Sequence, residues 1–212
     1  MPRGPGSFYD RFVKRVFDVT VSATLLVVAS PLLGAVAIAV RRKHGSPVLF
    51  HQTRTGKDGQ PFEIFKFRTM TDERDANGEL LPDKQRLTAL GRWLRSTSID
   101  ELPELVNVLR GEMSLVGPRP LLHHYVERYS PDQMRRHECR PGITGWVAVN
   151  GRNTRTWTER FEQDLFYVLN LGPLLDIQIL LRTILTVVSR AGVDPGFADQ
   201  MPEFGVTTDT AR

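Results

Sequence analysis

The stretch Val19–Val40, VTVSATLLVVASPLLGAVAIAV, is an apolar run of 22 residues that contains no charged side chain. At about 1.5 Å per residue, a helix of this length extends roughly 33 Å. That length matches the hydrocarbon core of a bilayer, which is ~30 Å thick. Because a soluble core seldom needs so long an uncharged segment, the run predicts a membrane helix.

The middle and the flanks of this run argue against a simple crossing. Pro31, preceded by Ser30, has no N–H and clashes with the preceding turn, so the helix is expected to bend or break there. Basic residues stand at both ends, KR at 14–15 and RRK at 41–43, whereas a one-way crossing usually concentrates them on one side. With both ends in the cytoplasm, the segment would enter and leave through one leaflet as two half-helices of about 16 Å. A straight crossing with a tolerated proline kink is the alternative.

The composition of the chain limits its class. The 212 residues leave room for one domain after the apolar run. The net charge is only +4, from 28 basic and 24 acidic side chains, and basic residues do not alternate with aromatic ones, so no nucleic acid is expected as a partner. A small positive excess suits anionic lipid or phosphorylated substrates. The single cysteine, Cys139, cannot form an intramolecular disulfide, which fits a reducing compartment.

A β-hairpin is predicted just after the apolar run. Two alternating segments, VLFHQTR at 48–54 and FEIFKFR at 62–68, flank the turn TGKDGQP, whose Gly and Asp residues favour chain reversal. Side chains along a strand alternate between two faces, so Lys66 and Arg68 share one face. This pair of cations is a candidate binding feature, although a solvated strand face would show the same pattern.

Two helices are predicted in the segment LGRWLRSTSIDELPELVNVLRG at 90–111. The first is short and amphipathic and carries Arg95. Ser98 and Glu101 have the spacing of a capping box for the second, which ends at Gly111. Asp100 and Glu101 are therefore expected at the N-terminus of a helix.

Two roles are open for Asp100 and Glu101. Acidic residues at a helix N-terminus stabilise the helix dipole by ~0.3–1 kcal/mol. Adjacent carboxylates also bind Mg²⁺ and act as nucleophiles. Nearby cations favour the second role, because Arg95 precedes the pair and Arg119 follows it between two prolines. Flanking prolines restrict the backbone, which presents the planar guanidinium to phosphate at a low entropic cost.

The order of the motifs resembles the bacterial sugar-transferase family, the monotopic polyprenyl-phosphate phosphoglycosyl transferases, in its small single-domain type. The matching pieces are KRVFD at 14–18, the Ser30-Pro31 pair, FEIFKFRTM at 62–70, LGRWLRSTSIDELPELVNVLRGEMSLVGPRP at 90–120, RPGITGWVAVNGRN at 140–153 and FYVLNLGPLLDIQILLRT at 166–183. Their common order is more specific than any single motif.

The resemblance implies transfer of a sugar 1-phosphate from a nucleoside diphosphate sugar, with uridine as the expected nucleoside, to polyprenyl phosphate, with undecaprenyl phosphate as the expected lipid. UMP would be released, and the reaction would begin the synthesis of a glycoconjugate or exopolysaccharide. The resemblance also implies a bacterial inner-membrane location, with the catalytic domain on the cytoplasmic face and a re-entrant membrane helix hinged at Ser30 and Pro31.

Roles for individual residues follow from the same resemblance. Asp100 would be the nucleophile that forms a phosphosugar-aspartyl intermediate, and Glu101 would help to hold Mg²⁺ and the diphosphate. Both are thus expected catalytic residues and metal ligands. Substrate-binding roles are expected for Lys66, Arg95, Arg119, Arg152 and Asp176. For Arg152 and Asp176 a structural role is the open alternative.

These features predict a mainly helical α/β protein. Residues 1–44 would form an interfacial segment and the re-entrant helix, and residues 45–190 a cytoplasmic catalytic domain with a small β-hairpin and amphipathic interfacial helices. Residues 191–212 would form a C-terminal tail or arm and are a candidate self-association element, so a homo-oligomer is an open expectation. The rival function is a non-enzymatic membrane-anchored scaffold, which would need the apolar run but not Asp100 and Glu101.

Overall fold

A computed structural model of the chain describes residues 4–150, 156–189 and 204–205. It confirms a mainly helical fold with small sheets and one long apolar helix near the N-terminus. A π-helical turn at Tyr9–Val13 leads into that helix. The helices and strands, numbered along the chain, are α1 Lys14–His44, β1 Leu49–Thr55, β2 Pro61–Phe67, α2 Asp83–Arg86, α3 Ala89–Ser96, α4 Glu104–Arg110, β3 Ser114–Val116, α5 Pro131–Met134, β4 Gly142–Thr144, α6 Trp146–Val149, α7 Trp157–Asn170 and α8 Pro173–Ser189.

Helix α1 continues through the predicted hinge. Pro31 lies inside the helix, and the hydroxyl of Ser30 donates a hydrogen bond of 2.8 Å to the carbonyl oxygen of Val27. That carbonyl is the one that an N–H at position 31 would have bonded, so Ser30 replaces the bond that proline removes. Two separate half-helices are therefore not present, and the re-entrant path remains a prediction. By length and composition α1, with the turn before it, is long and apolar enough to cross a membrane.

Both ends of α1 pack against the rest of the protein, whereas much of its middle is exposed. At the N-terminal end, Tyr9 belongs to an apolar cluster formed mainly by α4, β3, α7 and α8. At the C-terminal end, Val36 and Val40 pack with buried residues of β2 and α3. Between these contacts Val27 and Val28 are 73% and 72% exposed. Much of the apolar middle of the helix is thus left uncovered by the protein.

A buried polar network fixes the N-terminal end of α1 to α8. The ammonium of Lys14 donates to Asp176 Oδ2 at 2.6 Å. The hydroxyl of Tyr9 donates to the same oxygen at 2.8 Å, and the hydroxyl of Tyr167 donates to Asp176 Oδ1 at 2.7 Å. Lys14 and Asp176 are only 5% and 3% exposed, so each charge depends on the other for compensation.

The predicted hairpin is confirmed, and a second sheet accompanies it. Strands β1 and β2 are antiparallel, with Leu49 opposite Phe67 and Thr55 opposite Pro61. Strands β3 and β4 form a short parallel pair that the sequence had not indicated. Here Gly117 and Gly142 let two backbone segments touch, because a Cβ on either would collide with main-chain atoms of the other segment. This contact places the loop that follows β3, which contains Arg119.

Replacing Asp176 by Ala should lower the free energy of unfolding by about 3–5 kcal/mol, because the buried Lys14 ammonium would lose its counter-charge. Thermal or denaturant unfolding in detergent, followed by circular dichroism, measures the change. Asp132→Ala, at an exposed position of α5, is the control and should stay within about 0.5 kcal/mol of wild type. The double variant Lys14→Met/Asp176→Leu, which removes both partners of the pair, should recover part of the loss. Equal stability of the Asp176→Ala and Asp132→Ala variants would contradict this structural role.

Candidate functional site

The turn between α3 and α4 carries the two predicted catalytic acids. Helix α3 is capped by Thr88, whose hydroxyl accepts a hydrogen bond of 3.0 Å from Gly91 N. The predicted capping box from Ser98 to Glu101 is wrong: Ser98 has a left-handed backbone with φ 55°, and its side chain makes no capping bond. Helix α4 begins only at Glu104, so the two acids lie in a separate 3-10 turn, Ile99–Glu101.

The unusual backbone of Ser98 sets the direction of this turn. A non-glycine residue at positive φ is uncommon and persists where surrounding packing requires it. Here the next residue, Ile99, packs against the buried cluster of Val36, Val40, Phe67 and Leu94. Ile99 is partly buried, and the following residue, Asp100, lies on the wall of a cavity.

Lys66 joins two carboxylates beside that cavity. Its Nζ lies 2.8 Å from Glu101 Oε1 and 3.1 Å from Glu104 Oε1. The contact with Glu101 is a hydrogen bond, whereas the one with Glu104 has the distance of an ion pair without hydrogen-bond geometry. Arg119 Nη2 also donates to Glu101 Oε1, at 3.0 Å. Strand β2, α4 and the loop after β3 therefore meet through one set of charges.

Burial changes the acidity of this charge cluster. Burial, and secondly the nearby Glu101 carboxylate, raise the pKa of Asp100 to about 6, against the attraction of Lys66 and Arg95. Burial likewise raises the pKa of Glu104 to about 7, although Lys66 opposes the shift. For Lys66, burial alone would lower the pKa, but the Glu101 and Glu104 carboxylates outweigh it and leave its pKa raised. The Lys66 ammonium therefore stays charged, while Asp100 and Glu104 lose their protons at a higher pH than ordinary carboxyl groups do.

The cavity beside Asp100 has a volume of about 600 Å³, within the range of roughly 300–1,000 Å³ that is common for small-molecule sites. Basic residues outnumber acidic ones on its wall, which suits a ligand with several phosphate oxygens. The basic residues are Arg54, Lys66, Arg68, Arg86, Arg95, Arg119, Arg136 and Arg160, and the acidic ones are Asp72, Asp83, Asp100, Glu101 and Asp164.

A buried ion pair forms another part of the wall. Arg136 donates to Asp164 Oδ2 from Nε at 3.0 Å and from Nη2 at 2.7 Å. The same Nη2 donates to the carbonyl oxygen of Arg119 at 2.8 Å. Arg136 therefore holds the backbone of the residue whose side chain contacts Glu101. The apolar part of this wall comes from Trp157 and Phe161 on α7.

Most of the predicted site residues come together in the structure. Lys66, Arg95, Asp100, Glu101 and Arg119 all lie on the wall of this one cavity, although they come from four separate segments of the chain.

The other predicted residues lie elsewhere. Asp176 is buried in the core with Lys14 and two tyrosines, so its position argues for the structural alternative and against substrate binding. Arg152 falls outside the described residues. Ser30 is in the middle of α1.

Several residues of the site were not predicted. Glu104 contacts Lys66. Its position three residues after Glu101, at the start of a helix, was the sequence feature that could have indicated this. Arg68 had been noted on the face of Lys66, and it lies on the cavity wall. For the Arg136–Asp164 pair no local signal exists, because its members are 28 residues apart and belong to different elements.

Comparison with known protein sequences gives the relatives of the chain. The family model for bacterial sugar transferases matches residues 9–190. An uncharacterized sugar transferase of Bacillus subtilis (strain 168), EpsL, is 52% identical over 181 residues, which are 85% of this chain and 90% of the relative.

Two longer relatives carry more specific names. The undecaprenyl-phosphate glucose phosphotransferase of Komagataeibacter xylinus is 44% identical over 87% of this chain, and the UDP-glucose:undecaprenyl-phosphate glucose-1-phosphate transferase of Escherichia coli (strain K12) is 38% identical over 85%. The matched regions are only 37% and 41% of these two proteins. The match of the family model over most of the chain, together with these relatives, shows that the chain belongs to the bacterial sugar transferase family.

Proposed function

We propose that the chain transfers a sugar 1-phosphate from a UDP-sugar to undecaprenyl phosphate and releases UMP, as the first step in building a lipid-linked glycan. The observation that carries this proposal is Asp100, a buried carboxylate on the wall of a cavity rich in basic side chains. The names of the longer relatives support both substrates.

The proposed first step is attack by a carboxylate oxygen of Asp100 on the phosphorus next to the sugar. The new O–P bond forms as the bond from that phosphorus to the bridging oxygen breaks, and UMP leaves with the bridging oxygen. Lys66, Arg95 and Arg119 lie where they can balance the negative charge on the transferred phosphate and the leaving group. Fixed cations are needed because the nucleophile and the substrate are both anionic.

In the proposed second step, an oxygen of undecaprenyl phosphate attacks the phosphorus of the aspartyl intermediate. The O–P bond to Asp100 breaks, which regenerates the carboxylate and leaves a lipid diphosphate sugar. The covalent intermediate lets UMP leave before the lipid phosphate arrives, so two highly charged substrates need not occupy the cavity together. Ping-pong kinetics are expected as a result.

Mg²⁺ is the proposed metal, and the donor chemistry fits it. Among residues 4–150, 156–189 and 204–205, no group of three His, Cys, Asp or Glu side chains is placed to bind a metal ion. Mg²⁺, however, commonly takes one or two carboxylates and completes its shell with water and substrate phosphate. Asp100 and Glu101 supply such oxygens, and a cation near them would offset the repulsion that helps to raise the pKa of Asp100. Bound Mg²⁺ would supply charge neutralisation at the phosphates.

We further propose that both ends of α1 face the cytoplasm, where nucleotide sugars are made. The contacts of Tyr9 and Lys14 at one end, and of Val36 and Val40 at the other, support this orientation. Because both ends are attached to the same domain, a straight crossing would draw that domain into the bilayer. A path through one leaflet instead leaves the cavity near the depth of lipid phosphates.

Purified chain in lipid or detergent, given undecaprenyl phosphate and a panel of UDP-sugars that includes UDP-glucose, should release UMP in Mg²⁺ and not in EDTA. Asp100→Asn should reduce UMP release by at least about 10³-fold, since the amide is a poor nucleophile, and should leave membrane binding unchanged. Asp132→Asn is the matched control at an exposed position. A scaffold protein would release no UMP with any sugar, and a fully active Asp100→Asn variant would remove this residue from the mechanism.

The pH dependence follows from the raised pKa of Asp100, about 6. A Mg²⁺ ion bound at Asp100 would lower this pKa, so the raised value concerns the metal-free protein, and the quantity to compare is stability in EDTA. The folded state binds this proton more tightly than the unfolded chain, so ionisation destabilises the fold as the pH rises from about 4 to 6. Asp100→Asn should therefore be more stable than wild type by about 2 kcal/mol at pH 8 but not at pH 3.5, as measured by unfolding in EDTA. Equal stability of the two proteins at pH 8 would contradict a buried, ionised Asp100.

The orientation of α1 can be tested with single cysteines in a Cys139→Ala background. Lys14 is buried, so Arg11→Cys and Lys43→Cys, both at exposed positions, are the better pair. A membrane-impermeant maleimide should label both in inside-out vesicles and neither in right-side-out vesicles. Labelling of the two positions from opposite sides would restore the straight crossing.

A further inference from the structure

The residue pair Phe204-Gly205 near the C-terminus lies in an aromatic pocket next to the substrate cavity. The Phe204 ring has its centroid 5.1 Å from that of Phe161, 5.4 Å from those of Tyr129 and Trp157, and 5.7 Å from that of Tyr125. These distances are typical of favourable aromatic pairs. One ring from the tail thus joins the segment 125–129 to the first turns of α7.

The backbone of the tail is also held. Arg128 Nη1 donates to the carbonyl oxygen of Phe204 at 2.6 Å, and the guanidinium of Arg128 lies over the Tyr125 ring at 5.8 Å. A Cβ on Gly205 would lie 3.8 Å from the Cβ of Arg128. Both the ring and the backbone of this residue pair therefore contact the domain.

Two of the rings that touch Phe204 also face the cavity. Trp157 and Phe161 lie on the cavity wall, as does Asp164 one turn further along α7. Phe161 contacts the Arg136 guanidinium at 5.7 Å. Arg136 in turn pairs with Asp164 and holds the carbonyl of Arg119. Phe204 is thus packed against the part of the wall that positions Arg119.

We propose that Phe204 is a positioning residue for the nucleotide-sugar site: seated in the aromatic pocket of its own chain, it fixes the α7 wall and, through Arg136, the loop that carries Arg119. This inference rests on the proposed function for its substrate. Phe204 contacts Trp157 and Phe161 on α7, whereas Asp100 belongs to the turn that packs through Ile99 against β2 and α3. Loss of Phe204 therefore weakens substrate binding more than it slows the attack by Asp100.

The kinetic test uses the full chain with the UDP-sugar that wild type turns over. Phe204→Ala should raise the KM for that UDP-sugar about tenfold and change kcat by less than about threefold. The conservative variant Phe204→Tyr, which keeps an aromatic ring, should have the wild-type KM. The double variant Phe204→Ala/Arg128→Ala should be no worse than the poorer single variant, because both changes release the same segment. A wild-type KM for Phe204→Ala, or a loss confined to kcat, would overturn the proposal.

A disulfide test reports docking without any activity. In Arg128→Cys/Gly205→Cys, the Cβ separation of 3.8 Å suits a disulfide, and buried Cys139 does not compete, because burial raises its pKa to about 12. Mild oxidation should link the cysteines within one chain. A disulfide between two chains would mean that the pocket holds Phe204 of a second copy. The absence of any disulfide would mean that Phe204 does not dock. Either result overturns the proposal.

Two controls complete the design. Gly205 has φ +78°, which strains any side chain placed there, so Gly205→Cys with Arg128 intact is the control for the double-cysteine variant and should form no disulfide within the chain. If the wild-type chain turns over no UDP-sugar while the disulfide forms within one chain, the proposed function fails and the docking of the tail stands. The two failures are therefore distinguishable.

Discussion

The attachment of α1 at both of its ends is the constraint on which the rest of the structure depends. At one end the buried Lys14 ammonium meets Asp176, and a charge in such a place is tolerated only with its partner. At the other end Val36 and Val40 are buried against β2 and α3. An apolar helix is thereby attached at both ends to the rest of the protein, while much of its apolar surface stays exposed.

The same helix also reaches the catalytic segment. The guanidinium of Arg15 donates to the carbonyl oxygens of Val108 and Leu109, in the last turn of α4, where such groups lack helical partners. A cation at that end also complements the helix dipole. Since α4 follows directly on the turn of Asp100, the position of α1 sets the position of the proposed nucleophile. In a membrane enzyme this connection would fix the height of the reaction above the lipid.

The close approach of three carboxyl groups at the site is electrostatically unfavourable, and a neighbouring lysine partly offsets it. Asp100, Glu101 and Glu104 lie together in partly buried surroundings, and burial raises the pKa of Asp100 and Glu104. Lys66 lies between Glu101 and Glu104 and limits the repulsion. The left-handed backbone of Ser98 is a second local strain at the same place. Strain and unfavourable charge concentrated at one turn are typical of a functional site.

The sequence by itself determined the elements whose signals are local. The uncharged run 19–40 indicated the long helix, alternation around a Gly-containing turn indicated the hairpin, and helical spacing indicated α3 and α4. Family motifs then gathered Lys66, Arg95, Asp100, Glu101 and Arg119 into one expected site, whereas the local pattern alone left Asp100 and Glu101 with two possible roles. Only the tertiary structure decided the roles that depend on partners distant in the chain. Lys14 and Asp176, 162 residues apart, become a buried pair, and the left-handed backbone of Ser98 is incompatible with the capping box that the spacing of Ser98 and Glu101 predicted. Local spacing records periodicity and turns, but the burial and pairing of a charge depend on which segments the fold brings beside it.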